Sequence, residues 1–197
     1  YTKHTNFSHT VVQQIIKGEI SNGGTSTVHI DRNGDLLSYV YFTIDNGTTA
    51  QGSFDWTQLI DEVELLIGGQ VIDKQDSFFT ERIAIDSLAQ NMSKSSNGPH
   101  PGSSGTFSYF YPLRFWFCEN WQSALPMVAL QYHDVELRIK WGSSAASHTW
   151  KCWCDFVFLD NEERNLVAER KVDMLIYQVQ KNLGSNSKVQ QLVFSHP

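Results

Sequence analysis

The chain has 197 residues, enough for one substantial domain or for one domain and the start of another. Lys and Arg number 15 against 21 Asp and Glu, a net charge of −6 with no basic run, which argues against a primary contact with nucleic acid or an anionic membrane. The apolar stretches fall far short of the roughly 20 residues that span a bilayer as a helix, and no charged-then-apolar leader is visible, although the chain opens at Tyr1 and leaves room for an upstream piece.

The elements read as strands punctuated by turns. Residues 11–20 form a first strand, closed by Ser21-Asn22-Gly23-Gly24, and residues 25–30 alternate as a second. Asn33-Gly34 carries the composition of a type I′ hairpin turn, whose two central residues need positive φ. Residues 36–44 alternate Tyr39, Tyr41 and Thr43 against Val40 and Phe42, and residues 45–53 are a polar loop. Residues 63–67 and 70–72 are short strands meeting at Gly68-Gly69. Between 77 and 88 the apolar spacing changes to that of one or two helical turns, and residues 91–106, rich in Gly, Ser and Pro, are expected to face solvent. Residues 107–118 are almost wholly aromatic and apolar, as in a strand buried on both faces. Residues 133–141 alternate cleanly, 142–147 turn, and 151–159 make the eighth strand. Asp160 with Glu163 three residues on starts a short helix over 160–168. Residues 174–183, a Gly184-Ser185-Asn186-Ser187 turn and 188–194 then repeat the opening plan of strand, turn, strand. Eight short strands with one long helical loop are the pattern of an all-β antiparallel sandwich or jelly roll with short helices in its loops. The expected division is one domain over 1–168, then a linker and the first strands of a second, truncated copy over 169–197.

No motif carries catalytic chemistry. The stretch from Asp31 to Asp35 has Gly34 at the fourth position and Phe42 where a calcium loop needs its bidentate Glu, so a hairpin turn explains it better. The seven histidines lack metal spacing, and His133-Asp134 heads a strand without a nucleophile elbow nearby. The acidic residues Asp61, Glu62, Glu64, Glu162 and Glu163 read as solvated faces, and Gly68-Gly69 lacks phosphate-loop spacing. Cys118, Cys152 and Cys154 are too few for a disulfide framework. Cys152 and Cys154 share one face of a strand, and all three read as buried thiols of a reducing compartment. No cofactor or metal is expected. Of three Asn-x-Ser/Thr triplets, those at Asn46 and Asn91 fall in loops and are the candidate glycosylation positions. Trp, Tyr and Phe reach 13% of the chain, which favours a core of large flat rings.

Five blocks stand in order: Tyr1-Thr-Lys-His-Thr-Asn-Phe7, Arg32-Asn-Gly-Asp35, Glu64-Leu-Leu-Ile-Gly-Gly-Gln-Val-Ile-Asp-Lys74, Ala124-Leu-Pro-Met-Val-Ala-Leu-Gln-Tyr-His-Asp-Val135 and Phe158-Leu-Asp-Asn-Glu-Glu-Arg164. Together they resemble the major capsid protein of nucleocytoplasmic large DNA viruses. The resemblance implies the first half of a double jelly roll, with strands lettered B to I at about 9–20, 25–31, 36–44, 62–67, 70–75, 107–117, 133–141 and 151–159. It implies a structural, non-catalytic protein whose homotrimers form pseudo-hexagonal capsomers tiling an icosahedral shell. The implied partners are further copies, neighbouring capsomers and minor capsid proteins, without direct nucleic-acid contact and with at most indirect contact to an inner membrane. The implied location is the virion, assembled in the host cytoplasm or a viral factory. Trp121 and Leu130 are the candidate assembly or packing residues. The alternative is a lectin-like jelly roll that stacks sugars on exposed Trp and Tyr, since sandwiches of both kinds share architecture.

Overall fold

The structure is a computed structural model describing residues 6–45, 56–84, 110–169, 173–182, 184, 186 and 188–194. Asn46, Asn91, the loop 91–106 and most of the loop 45–53 lie outside these described residues. Ten strands occur among the described residues, and they pair antiparallel into two five-stranded sheets. The first sheet runs in the order β1 (Phe7–Gln14), β10 (Thr149–Leu159), β4 (Leu36–Asp45), β7 (Phe110–Pro112), with β8 (Leu125–Pro126) also on β4. The second runs β2 (Ile16–Lys17), β3 (Thr25–His29), β9 (Val135–Trp141), β5 (Ile60–Ile67), β6 (Gln70–Asp76). With β1 and β2 as the two halves of strand B, these orders are B-I-D-G and C-H-E-F, the two sheets of a jelly roll, with E and F joined as a hairpin within one sheet.

The inward faces of the two sheets make one core. β9 buries Val135, Leu137, Ile139 and Trp141 and turns Glu136, Arg138 and Lys140 outward, as its alternation predicts. β4 keeps its inward set by a bulge: Leu37 is fully buried, then the parity shifts so that Val40 and Phe42 follow, where β10 changes register between Asp155 and Phe156. The Ser38 hydroxyl donates to the Asp155 carbonyl at 3.1 Å within this irregularity. Rings plug one end of the sandwich. Trp150 packs at 4.6 Å from Trp141 and 6.2 Å from Trp56, which lies tilted at 5.1 Å from Tyr111, and all four are buried. The indole N–H groups remain partnered, Trp141 donating to Ser26 Oγ at 2.8 Å and Trp150 to the Ala145 carbonyl at 2.9 Å. Each such side chain contributes roughly 1.5–3 kcal/mol by leaving water.

Several elements differ from expectation. The first strand starts earlier and breaks at Ile15, which is 73% exposed where the chain passes from one sheet to the other. Asn33-Gly34 is not a hairpin turn: β3 and β4 belong to different sheets, and the φ of Gly34 lies outside the left-handed region. Gly34 instead permits close approach, since a Cβ there would stand 2.6 Å from Phe156 Cβ. Gly68-Gly69 is the true two-residue hairpin, with φ of 59° and 78° joining β5 to β6. The expected strand 107–118 pairs only over Phe110–Pro112 among the described residues, then runs into a 3₁₀ turn at Trp116–Cys118, yet Tyr111–Cys118 stays buried throughout. Pro112 has no N–H to extend the ladder. The helical change after residue 77 is present as a turn over Phe79–Ile83, and α2 (Asn161–Glu169) follows Asp160, whose carboxylate accepts from Asn161 N–H at 2.7 Å; α1 is Trp56–Leu59. Residues 173–182 and 188–194 form no strand and are largely exposed.

Candidate functional site

The two outer faces of the sandwich differ in chemistry. On the second sheet the acidic residues of β5 are tied to cations from neighbouring strands: Glu62 to Lys74 at 2.9 Å, Glu64 to Arg138 at 3.0 Å, and Asp61 to Lys140. Such exposed pairs add little stability, about 0–1 kcal/mol each, but they cover that face with hydrated charge. The first sheet turns Tyr39, Tyr41 and Trp153 outward, all half-buried, with Trp153 Nε1 donating to Thr43 Oγ1 at 2.9 Å. Burial pushes the Tyr39 and Tyr41 phenols up, so both stay neutral donors at physiological pH.

Trp121 completes this aromatic side. It sits in the 3₁₀ turn Trp121–Ser123, which Asn120 caps by accepting from Ser123 N–H at 3.0 Å. The indole is 59% exposed and meets Phe7 edge-to-face at 5.4 Å and His9 at 6.0 Å. Phe7 is itself 52% exposed, and His9 Nδ1 lies 3.4 Å from Asp155 Oδ1. Phe7, His9 and Val11 share the outward parity of β1, the edge strand among the described residues, so the patch continues along that margin of the sheet.

Leu130 belongs elsewhere. It is half-buried against the core, and its carbonyl accepts from Arg32 Nη2 at 2.6 Å. Arg32 also donates to the Gln131 carbonyl at 2.7 Å and so pins the turn before β9. Beside it lies a cavity of about 610 Å³ lined by Arg32, Asp35, Met127, Tyr132, Phe158 and Arg164, among others. Asp35 organises its wall: Oδ2 accepts from Leu159 N–H at 2.8 Å, and Oδ1 stands 3.0 Å from Arg164 Nε. Asp35 and Asp73 stand within two of the sequence blocks and Arg114 within the run 107–118, but their burial depends on contacts between distant segments that no local spacing encodes. Among the described residues no group of three or more His, Cys, Asp or Glu stands close enough to hold a metal.

The comparisons with known proteins agree with this architecture. Residues 1–150 match the family described as the major capsid protein N-terminus. Over its whole length the chain is 33% identical to the major capsid protein of Pyramimonas orientalis virus, a match covering 56% of that protein. It is 29% identical to capsid protein 1 of Acanthamoeba polyphaga mimivirus, again over the whole chain but over 42% of that protein. Among solved structures it is similar to a chain of the PBCV-1 virus capsid, with a TM-score of 0.76 and 30% identity over 91% of this chain and 49% of that one. The chain thus spans about half the length of the relatives it matches. On the end-to-end likeness and the shared jelly roll, it belongs to the major capsid protein family of nucleocytoplasmic large DNA viruses.

Proposed function

We propose that this chain is the first jelly roll, residues 1–168, of a shell-building protein, with 169–197 leading into a second. Three copies of the whole polypeptide would form a pseudo-hexagonal capsomer, and capsomers would tile an icosahedral shell in the virion. The role is structural rather than catalytic, and its partners are further copies and minor capsid proteins. Assembly of the virion in the host cytoplasm or a viral factory belongs to the same reading. The observation that carries it is the family match over residues 1–150. The asymmetry of the sandwich supports it: a charge-paired face suits water, whereas aromatic side chains at an open margin suit a protein interface.

Within this reading Trp121 is the interface residue and Leu130 a packing residue. In the polypeptide carrying both halves, Trp121→Ala should leave folding within about 1.5 kcal/mol of the parent, since only an exposed aromatic pair is lost. The same substitution should weaken association measured by sedimentation. Leu130→Ala should lower the thermal midpoint, by roughly 1–3 kcal/mol of stability for a half-buried Leu, before it affects association. Equal association of the Trp121 variant and the parent would remove this surface from the account. The exposed Trp121 ring also serves the sugar-stacking alternative, which predicts a saturable change in Trp fluorescence on titration with oligosaccharides; a flat response eliminates it.

A further inference from the structure

Among the described residues β6 pairs with β5 on one side only, and its other margin is a sheet edge. Such an edge presents unpaired N–H and C=O groups and invites pairing with another chain unless something covers it. Residues 177–181 run along this margin without joining the ladder. Val179 N–H donates to Asp73 Oδ1 at 2.9 Å, Gln178 Nε2 donates to the Ile72 carbonyl, and the Lys181 ammonium pairs with Asp76. The Tyr177 hydroxyl reaches the Arg114 carbonyl at 3.4 Å. The contacts to Ile72, Asp73 and Asp76 each span more than 100 residues of sequence, and the one made by Val179 N–H falls on a buried carboxylate.

Asp73 is 3% exposed, an expensive place for a charge unless donors surround it. Its Oδ2 accepts from Gln75 Nε2 at 2.9 Å, and the same amide donates to the Arg114 carbonyl at 2.9 Å. The first sandwich therefore supplies Gln75 and the Lys74 backbone N–H as donors, while the third donor, Val179 N–H, comes only from the downstream segment. Burial pushes the Asp73 carboxyl up, as expected for a group whose donors only partly replace water.

We propose that residues 177–181 are a strap that covers the β6 edge and is latched by Asp73, which makes Asp73 a docking residue for the chain leaving the sandwich. The strap fixes the direction in which the polypeptide departs and removes an edge from which copies could pair out of register. This holds whatever the oligomeric state of the longer protein.

Val179→Pro tests the latch in the intact chain, because it deletes the donor N–H without altering any residue of the sandwich. Val179→Ala keeps the donor and serves as its control. The readouts are trypsin cleavage after Lys181, normalised to the denatured chain, and hydrogen exchange over 177–181, with circular dichroism to report the fold. Losing a hydrogen bond to a buried carboxylate should speed cleavage and exchange roughly tenfold or more in Val179→Pro. Val179→Ala should stay within about twofold of the parent. Parent-like protection in Val179→Pro would overturn the proposal. Equal loss of protection in both variants would also overturn it, since the Val side chain rather than the Asp73 contact would then hold the segment.

Discussion

Cys118, Cys152 and Cys154 are all buried and unpaired, and they illustrate how placement rather than residue type sets chemistry. Cys152 and Cys154 point into the core from one face of β10, as their spacing on a strand requires, and Cys118 closes the 3₁₀ turn beneath them. Burial pushes the Cys118 thiol up to about 12, so at pH 8 roughly one molecule in ten thousand carries the thiolate there. A hydrogen bond with Cys152, followed by burial, holds Cys154 well above the ordinary thiol range. Only the thiolate attacks an aromatic disulfide reagent. The folded chain should therefore release almost no chromophore at pH 8, and all three thiols should react once denaturant is added. Rapid native-state reaction of any one thiol would show that the core is not closed as described.

At the scale of elements, turns decide how the strands are joined, and two glycines separate close approach from backbone conformation. A Cβ on Gly142 would stand 2.1 Å from the Gln58 carbonyl oxygen and 2.4 Å from its carbon, backbone atoms that cannot swing aside. At Gly69 a Cβ would meet nothing within 4 Å, and only the φ of 78° disfavours a side chain. Gly142→Ala should cost about 3 kcal/mol or more, near the top of the range for overpacking, whereas Gly69→Ala should cost about 1–2 kcal/mol. Thermal unfolding checks the order, and a milder effect at Gly142 would contradict the packing of α1 against the turn after β9. The same elements show what could be read in advance. β9 was legible because its polar and apolar residues alternate without exception. Asn33-Gly34 misled because hairpin composition does not reveal that the flanking strands enter different sheets. Residues 107–118 misled because uniform apolarity reports burial, and a 3₁₀ turn can be buried as fully as a strand. Trp121 was named in advance as an assembly or packing candidate and is exposed in the fold, but the aromatic face around it was not legible. Along β4 both parities are apolar, Tyr39 and Tyr41 against Val40 and Phe42, and nothing local says which points outward.

For the whole molecule, the sheet orders pair strands far apart in sequence, such as β1 with β10 and β3 with β9, which makes most contacts long-range. That topology gives the chain one ion-paired face, one aromatic face with an exposed Trp121, and a strapped edge at β6. A protein that repeats itself into a shell needs surfaces of this kind to differ, because only one of them should meet the next copy first. The family identity was legible in five sequence blocks, three of which fall at the β5–β6 hairpin, the turn before β9 and the start of α2. The direct test of the assembly account is the solution molar mass, by light scattering, of the polypeptide carrying both halves of the capsid-protein length. The account predicts a compact, monodisperse species of three chains that persists on dilution. A monodisperse monomer at the same concentrations would contradict it.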